Sequence, residues 1–235
     1  MRVVIVGGTS GIGLATAARL AAGGAEVFVT GRSEERLQAA LKQLGDQASG
    51  EVLDARDTGA MRALFERLGG VDHVIITVTG RGGAGPLSSL TSETLTGAVQ
   101  NKLVPQFLTA QAALGALSAG GSITFVTAAS AGAAFPGASL LAAVNGAIEA
   151  AVPSLAVELA PIRVNAVSPG VIDTDWWSGL GEEARAAFLE GTAASLPVGR
   201  VGTPDDVATS IEYVVRNSFV TGTVLTVDGG GKLKA

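Results

Sequence analysis

Residues 3–13 read VVIVGGTSGIG: four apolar residues typical of a β-strand run into Gly7, and Gly11 and Gly13 follow at fixed spacing. An alanine-rich helical pattern comes next, over 14–22. Gly7 permits a tight turn, Gly11 lets backbone N–H groups approach a pyrophosphate, and Gly13 lets the helix pack closely on the strand. The segment therefore predicts a strand, a glycine turn and a helix N-terminus in the order that a dinucleotide phosphate site requires.

Strand and helix patterns alternate along the rest of the chain. The strand patterns lie at 2–6, 26–30, 50–54, 71–78, 122–127, 161–167 and 223–227, and the helical patterns at 11–22, 33–44, 58–68, 93–117, 138–160, 181–191 and 203–216. Alternation of this kind predicts an α/β fold with a doubly wound parallel sheet. Right-handed crossovers place the carboxyl ends of all strands at one edge, where the ligand is expected. We find no linker or repeat, so 1–235 is predicted to be one domain.

Composition excludes several classes of function. The net charge of -5 argues against binding to nucleic acid or to an anionic membrane, both of which need basic patches. The chain has no cysteine and one histidine, which excludes disulfides, thiol catalysis and a histidine-based zinc site. The first strand pattern starts at the second residue and leaves no room for a signal peptide, so a cytoplasmic protein is expected. The uncharged stretch 103–148 is expected to be buried in the core, in a subunit interface, or in both.

The strand ends carry the polar residues. The second strand ends in Gly31-Arg32-Ser33, where a NAD-binding fold usually has an acidic residue for the adenosine ribose. Arg32 at this place would instead meet a 2′-phosphate. The third strand pattern ends near Asp54, which is placed to accept a hydrogen bond from an adenine amino group.

Two longer segments, IRVNAVSPG at 162–170 and TGTVLTVDGG at 221–230, are specific signatures. With the glycine turn they make the chain resemble the short-chain dehydrogenase/reductase family over essentially its whole length. The resemblance implies a Rossmann-type fold with a seven-stranded parallel sheet and binding of NAD(P)(H). It also implies a homotetramer or homodimer built partly on the fourth and fifth helices.

The resemblance assigns cofactor contacts residue by residue, and Arg32 with Ser33 favours NADP(H) over NAD(H). The pyrophosphate would be lined by Gly7, Ser10, Gly11, Ile12 and Gly13, the 2′-phosphate by Arg32 and Ser33, the adenine by Asp54 and Ala55, and the nicotinamide carboxamide by Pro169, Ile172 and Thr174. The other expected cofactor contacts are Thr79, Gly80, Asn145 and Gly170. Thr79 and Gly80 stand in place of the family's usual Asn-Ala-Gly turn.

The catalytic pattern of the family is where this chain departs. The family uses a serine, a tyrosine, a lysine four residues after the tyrosine, and an asparagine on the fourth helix. Here Ala128 stands at the serine position, Leu141 at the tyrosine, Asn145 at the lysine and Lys102 at the asparagine. Leucine cannot transfer a proton, and asparagine carries no charge that would lower a neighbour's pKa. The chain is therefore expected to be a divergent member that lacks the usual mechanism.

Four residues remain as catalytic candidates: Lys102, Thr127, Ser130 and Asn145. Lys102 could bind an anionic substrate, polarise a carbonyl or feed a proton through water, and Thr127 and Ser130 could donate a hydrogen bond to a substrate oxygen. Asn145 could bind the ribose hydroxyls.

Trp176 and Trp177 begin the segment that covers substrate in the family, which suggests an apolar or aromatic ligand, or packing against a neighbouring subunit.

Three functions fit these residues. The first is an NADP(H)-dependent oxidoreductase acting on a small apolar or aromatic carbonyl, imine or activated alkene. The second is a catalytically inactive cofactor-binding homologue that serves as a sensor or partner subunit, and the third is a scaffold reused for isomerase or cyclase chemistry without redox turnover.

Overall fold

A computed structural model describes residues 1–80 and 82–233 and shows a single-domain Rossmann fold with a seven-stranded parallel sheet, as the sequence predicts. The strand order is β3-β2-β1-β4-β5-β6-β7. The strands are β1 (Arg2–Val6), β2 (Glu26–Gly31), β3 (Ala48–Val52), β4 (Val71–Ile76), β5 (Leu117–Val126), β6 (Arg163–Pro169) and β7 (Val224–Val227).

Helices cover both faces of the sheet and bury two separate hydrophobic cores. The helices are α1 (Gly11–Ala22), α2 (Glu34–Leu44), α3 (Thr58–Leu68), α4 (Ser92–Ala98), α5 (Val104–Ala113), α6 (Ser139–Glu158), α7 (Glu182–Ser195) and α8 (Pro204–Arg216). Helices α1, α2 and α8 pack on the face that carries Ile5 and Ile75, and α3, α5 and α6 pack on the face that carries Ile76 and Phe125. Because the central strands are covered on both sides, they read as continuous apolar runs in the sequence.

Several predicted boundaries move in the structure. Strand β3 ends at Val52, β4 ends at Ile76, and β6 runs over Arg163–Pro169, so the predicted strands 50–54, 71–78 and 161–167 are each shifted or too long. Apolar composition continues past the last paired residue of a strand, and for this reason the pattern alone does not locate the strand end.

The predicted helix 93–117 ends too late and is not regular throughout. Helical backbone runs without a break through α4, a π-helical turn over Val99–Leu103 and α5 as far as Ala113, and β5 begins at Leu117. Pro105 has no N–H group and cannot donate to the carbonyl four residues earlier, so the regular helical hydrogen bonds are interrupted at this point. A π-helical turn inside a longer helix is frequent at functional sites.

Helix α6 is the element of the described chain that is long and apolar enough to cross a membrane, with a mean hydropathy of 1.6 over its most apolar part. In the fold its Leu140, Val144, Ile148 and Val152 are buried. Ile148 and Val152 belong to the core beneath the sheet. Here the helix serves as a layer of the doubly wound fold, and its alanine-rich outer face is exposed in the single chain.

Candidate functional site

The glycine turn after β1 has the geometry of a close backbone approach. Gly7 has a φ of +91°, a conformation that residues with a side chain rarely adopt. A Cβ atom on Gly13 would lie 2.2 Å from the Gly7 carbonyl oxygen, so α1 can pack this closely on the turn only with glycine there. Thr77 Oγ1, just beyond β4, donates to the carbonyls of Val6 and Gly7 at 3.0 Å and ties the turn to the neighbouring strand end.

This turn lies between β1 and β4, where the strand order reverses. The segment that follows β6 packs against it. A Cβ on Gly11 would lie 3.6 Å from Thr174 Cγ2, so the predicted pyrophosphate and nicotinamide segments adjoin each other. A Cβ on Gly170 would lie 2.7 Å from the Cα of Asp228, which fixes the turn after Pro169 against the end of β7. Ile172 is buried beside it, whereas Ser10 and Ile12 at the start of α1 remain partly exposed.

The adenosine end of the predicted site holds more charge than the sequence interpretation assigned to it. Arg32 is exposed after β2, and Ser33 Oγ accepts the N–H of Arg36 as the N-cap of α2. Asp54 lies two residues past β3, and its carboxylate accepts hydrogen bonds from the guanidinium of Arg56 at 2.6–3.1 Å. These bonds hold the pKa of Asp54 below its usual range. Ala55 beside it is buried. Sequence analysis assigned no role to Arg56. Its guanidinium is hydrogen-bonded to the Asp54 carboxylate, which was predicted to accept a hydrogen bond from the adenine amino group.

Lys102 lies in the π-helical turn and is only 9% exposed. Its Nζ donates to the carbonyl oxygen of Thr127, one residue past β5, at 3.4 Å. Burial lowers the pKa of Lys102 to about 8, and the negative charge of Glu149 partly opposes this shift. The lysine is therefore held at the carboxyl edge of the sheet in a form that can give up a proton near neutral pH.

Asn101, the neighbour of Lys102, points elsewhere. A Cβ on Gly80 would lie 2.8 Å from Asn101 Cβ, and Asn101 Oδ1 accepts from Arg56 Nη1 at 3.4 Å. Thr79 beside Gly80 is partly exposed, and its hydroxyl bonds only locally, to the Gly80 carbonyl. Asn101 and Lys102 therefore point in different directions, as neighbouring residues on a helix do.

The four candidates form two hydrogen-bonded pairs, Lys102 with Thr127 and Ser130 with Asn145, and their hydrogen bonds differ from the expectation. Thr127 Oγ1 donates to Glu149 Oε1 at 2.7 Å, and Thr127 is buried, so its hydroxyl proton is not directed at a substrate. Ser130 Oγ accepts from Asn145 Nδ2 at 3.2 Å and keeps its own proton available. Asn145 is 2% exposed, and its Oδ1 has no hydrogen-bond partner within the described chain.

Two polar side chains in this region, one buried and one partly buried, were missed by sequence reasoning. Gln106 is fully buried, and its Nε2 donates to the carbonyls of Val78 and Val126, which joins the ends of β4 and β5. Glu149 Oε1 accepts from the hydroxyls of both Thr127 and Ser168 at 2.7 Å. One signal could have found Glu149: it ends the uncharged stretch and lies one helical turn after Asn145.

The positions expected to carry a serine and a tyrosine present no proton donor here. Ala128 and Leu141 are both partly buried, and Leu141 Cδ2 would lie 3.2 Å from a Cβ placed on Gly83. Tyr213 is half-exposed on α8. His73 lies near the start of β4, where its Nδ1 is 2.9 Å from Ser122 Oγ and burial lowers its pKa to about 4.

The segment after β6 forms an aromatic cap. The rings of Trp176 and Trp177 meet edge to face with centroids 4.5 Å apart, and Trp177 lies 4.6 Å from the ring of Phe188 on α7. Trp176 Nε1 donates to the Gly80 carbonyl at 3.5 Å, which links the cap to the turn after β4. Asp173 is paired with Arg185, so its carboxylate is engaged at the surface.

Comparison with known proteins covers nearly the whole chain. A family model described as enoyl-(acyl carrier protein) reductase matches residues 6–232. The chain is 31% identical over 99% of its length to a short-chain dehydrogenase/reductase, ATR9, of Stachybotrys chlorohalonatus, covering 97% of that protein. It is 30% identical over 98% of its length to carbonyl reductase family member 4 of Danio rerio, covering 97% of it.

A solved structure adds a likeness in three dimensions. A small-chain dehydrogenase in complex with NADPH superposes with a TM-score of 0.84 at 33% identity, and the match covers 100% of this chain and 99% of the other. The glycine turn, the seven-stranded parallel sheet and these relatives agree: the chain belongs to the short-chain dehydrogenase/reductase family.

Proposed function

We propose that this protein is an NADP(H)-dependent oxidoreductase in which Lys102 supplies the proton that a tyrosine supplies elsewhere in the family. The observation that carries the proposal is the buried ammonium of Lys102 at the carboxyl edge of the sheet, hydrogen-bonded to the carbonyl of Thr127. A lysine in such a place is costly unless it is paired, solvated or shifted in pKa, and strongly perturbed groups cluster at functional sites.

The residues present fit a nicotinamide dinucleotide. Glycine at 13 lets α1 start directly against the turn at Gly7, and the N-terminus of α1 would offer its backbone N–H groups to a pyrophosphate. Arg32 and Ser33 would hold the 2′-phosphate, and Asn145 Oδ1 is free to accept from a ribose hydroxyl. The bound cofactor would supply the hydride. The NADPH complex of the similar small-chain dehydrogenase supports the same choice.

The chain's own residues would then position the substrate and deliver a proton. The Lys102 ammonium would lie near the developing negative charge, and Ser130 Oγ would donate a hydrogen bond. With Leu141 at the tyrosine position and Ala128 at the serine position, substrates that need little activation are favoured. We therefore propose a small carbonyl compound, imine or activated alkene, with an apolar or aromatic body beneath the Trp176 cap.

A binding titration followed by a turnover screen tests this function. Trp176 and Trp177 are the only tryptophans in the chain and both lie in the cap, so NADPH binding should quench the tryptophan emission. Oxidation of NADPH is then followed at its own absorbance with carbonyls, imines and activated alkenes. Binding without turnover on any class would favour a cofactor-binding sensor or partner, and no binding at all would refute the proposal.

Arg32→Ala should weaken NADPH binding about tenfold, equal to about 1.4 kcal/mol, because a guanidinium facing a phosphate is lost. The Kd for NADH should change less than twofold, since NADH has no 2′-phosphate. Arg36→Ala is the matched control, because Arg36 is also exposed and lies on α2. Equal weakening of both cofactors in Arg32→Ala would contradict the assignment.

We propose further that the chain acts as a cytoplasmic homotetramer or homodimer. The support is the exposed, alanine-rich outer face of α6 within the region where charges are scarce, together with the 82% exposure of Val157. Size measurement by light scattering tests it, and a monomer at micromolar concentration would contradict it.

A further inference from the structure

The carboxylate of Glu149 is fixed in place by two neighbouring strand ends. Its Oε1 accepts from Thr127 Oγ1, just beyond β5, and from Ser168 Oγ, near the end of β6, both at 2.7 Å. A carboxyl oxygen has two lone pairs and can accept both hydroxyl groups at once, so the two hydrogen bonds fix its position. Helix α6 thus holds an acidic side chain in a set place at the carboxyl edge of the sheet.

Thr127 stands between this carboxylate and Lys102. Its hydroxyl donates to Glu149, and its carbonyl accepts from Lys102 Nζ at 3.4 Å. The two opposite charges are therefore separated by a single residue in a buried region. A nearby opposite charge favours the charged form of a buried lysine, whereas burial disfavours it.

Other charged groups on the surrounding elements do not supply an opposite charge to Lys102. Helix α4 contributes Glu93, which is exposed near its N-terminus, and α5 contributes no charged residue. Helix α6 carries Glu158 as well, which is exposed at its far end. Arg56, which approaches from the loop after β3, bonds to Asn101 and Asp54.

We propose that Glu149 is a positioning residue that keeps the buried Lys102 protonated, acting through Thr127, so that the lysine is a charged proton donor at neutral pH. The catalytic consequence rests on the proposed function, whereas the charge coupling does not. A neutral glutamine at 149 would accept the same two hydroxyl groups and leave Lys102 without its counter-charge. Burial would then favour the neutral amine.

Lysine NMR measures this coupling directly. The chain has four lysines, Lys42, Lys102, Lys232 and Lys234, so 13Cε-lysine labelling gives a small spectrum in which Lys102→Met assigns the signal of interest. We expect the Lys102 midpoint of the wild-type protein at about pH 8. In Glu149→Gln the midpoint should fall by about one pH unit, a tenfold loss in the protonated-to-neutral ratio at a given pH. Glu158→Gln on the same helix should leave it unchanged.

Two results would overturn the inference: an unchanged Lys102 midpoint in Glu149→Gln, or the same shift in Glu158→Gln. If Glu149→Gln does not fold, the titration of the wild-type protein tests the coupling between Glu149 and Lys102 instead. Its Lys102 signal should then show a second, smaller inflection at acid pH, where carboxylates titrate, that the exposed Lys42 signal lacks. A flat Lys102 signal there would refute the coupling.

The same measurement separates this inference from the proposed function. The NMR titration needs neither cofactor nor substrate, so a shifted midpoint without any NADPH oxidation upholds the coupling and refutes the oxidoreductase. Where turnover is found, the alkaline limb of its pH profile should move by the same amount in Glu149→Gln. Glu149→Asp, which keeps the charge, should restore most of the wild-type profile, and a purely structural role for Glu149 would leave the limb in place.

Discussion

Lys102→Met is expected to lower kcat about 100- to 10,000-fold, the range usually lost with a general acid, while the Kd for NADPH changes little. Methionine has nearly the length of lysine but no proton to give. The same substitution removes a buried ammonium that is costly to desolvate, but also the opposite charge that faces Glu149, so the melting temperature should change little. Lys42→Met, at an exposed position of α2, is the control and should behave as the wild type. Unchanged turnover in Lys102→Met would remove Lys102 from the mechanism.

The pH dependence gives the same prediction a second readout. With a pKa of about 8, Lys102 is protonated below that pH, so kcat should fall about tenfold per pH unit above it. The folded-state pKa lies below the ordinary value of 10.5. The unfolded chain therefore binds more protons between pH 8 and 10.5, and the free energy of unfolding should rise with pH in that window. Lys102→Met should lack both effects.

Arg163→Met is expected to lower the free energy of unfolding by about 3 kcal/mol. Arg163 is 7% exposed, and its guanidinium donates to the backbone carbonyls of Val214 and Val215 at 2.7 Å and of Val220 at 2.9 Å. Two of these carbonyls belong to the last turn of α8, where the helix itself offers no donor. Methionine would fill the space and leave the carbonyls of Val214 and Val215 without this donor, whereas the Val220 carbonyl would keep its hydrogen bond from Asn165 Nδ2.

Thermal or urea unfolding measures this loss, which for a chain of this size corresponds to a fall of roughly 6–12 °C in Tm. The Tm of Arg163→Lys should lie between that of the wild type and that of Arg163→Met, because one ammonium keeps the charge but cannot reach three carbonyls. Arg67→Met is the matched surface control, since Arg67 pairs with Glu51 in solvent and should cost less than about 0.5 kcal/mol. An Arg163→Met protein as stable as the wild type would contradict the capping role.

The fold was predictable because its signals are local. The apolar run into Gly7, the glycine spacing and the alternation of strand and helix patterns each depend on neighbouring residues, and the parallel sheet follows from them. Helix boundaries around Lys102 were not predictable in this way. Small and apolar residues continue from α5 into the start of β5, so the composition of this region does not mark where the helix ends.

The same contrast between local and long-range signals holds for the candidate site. Sequence alone determined the glycine turn after β1, a lysine at 102 beside a long uncharged stretch, and Arg32 directly after the second strand. Only the tertiary structure decided that Thr127 gives its proton to Glu149 and its carbonyl to Lys102. These contacts join residues 22 and 25 positions apart on different elements, and their energies depend on burial, which spacing along a chain does not encode.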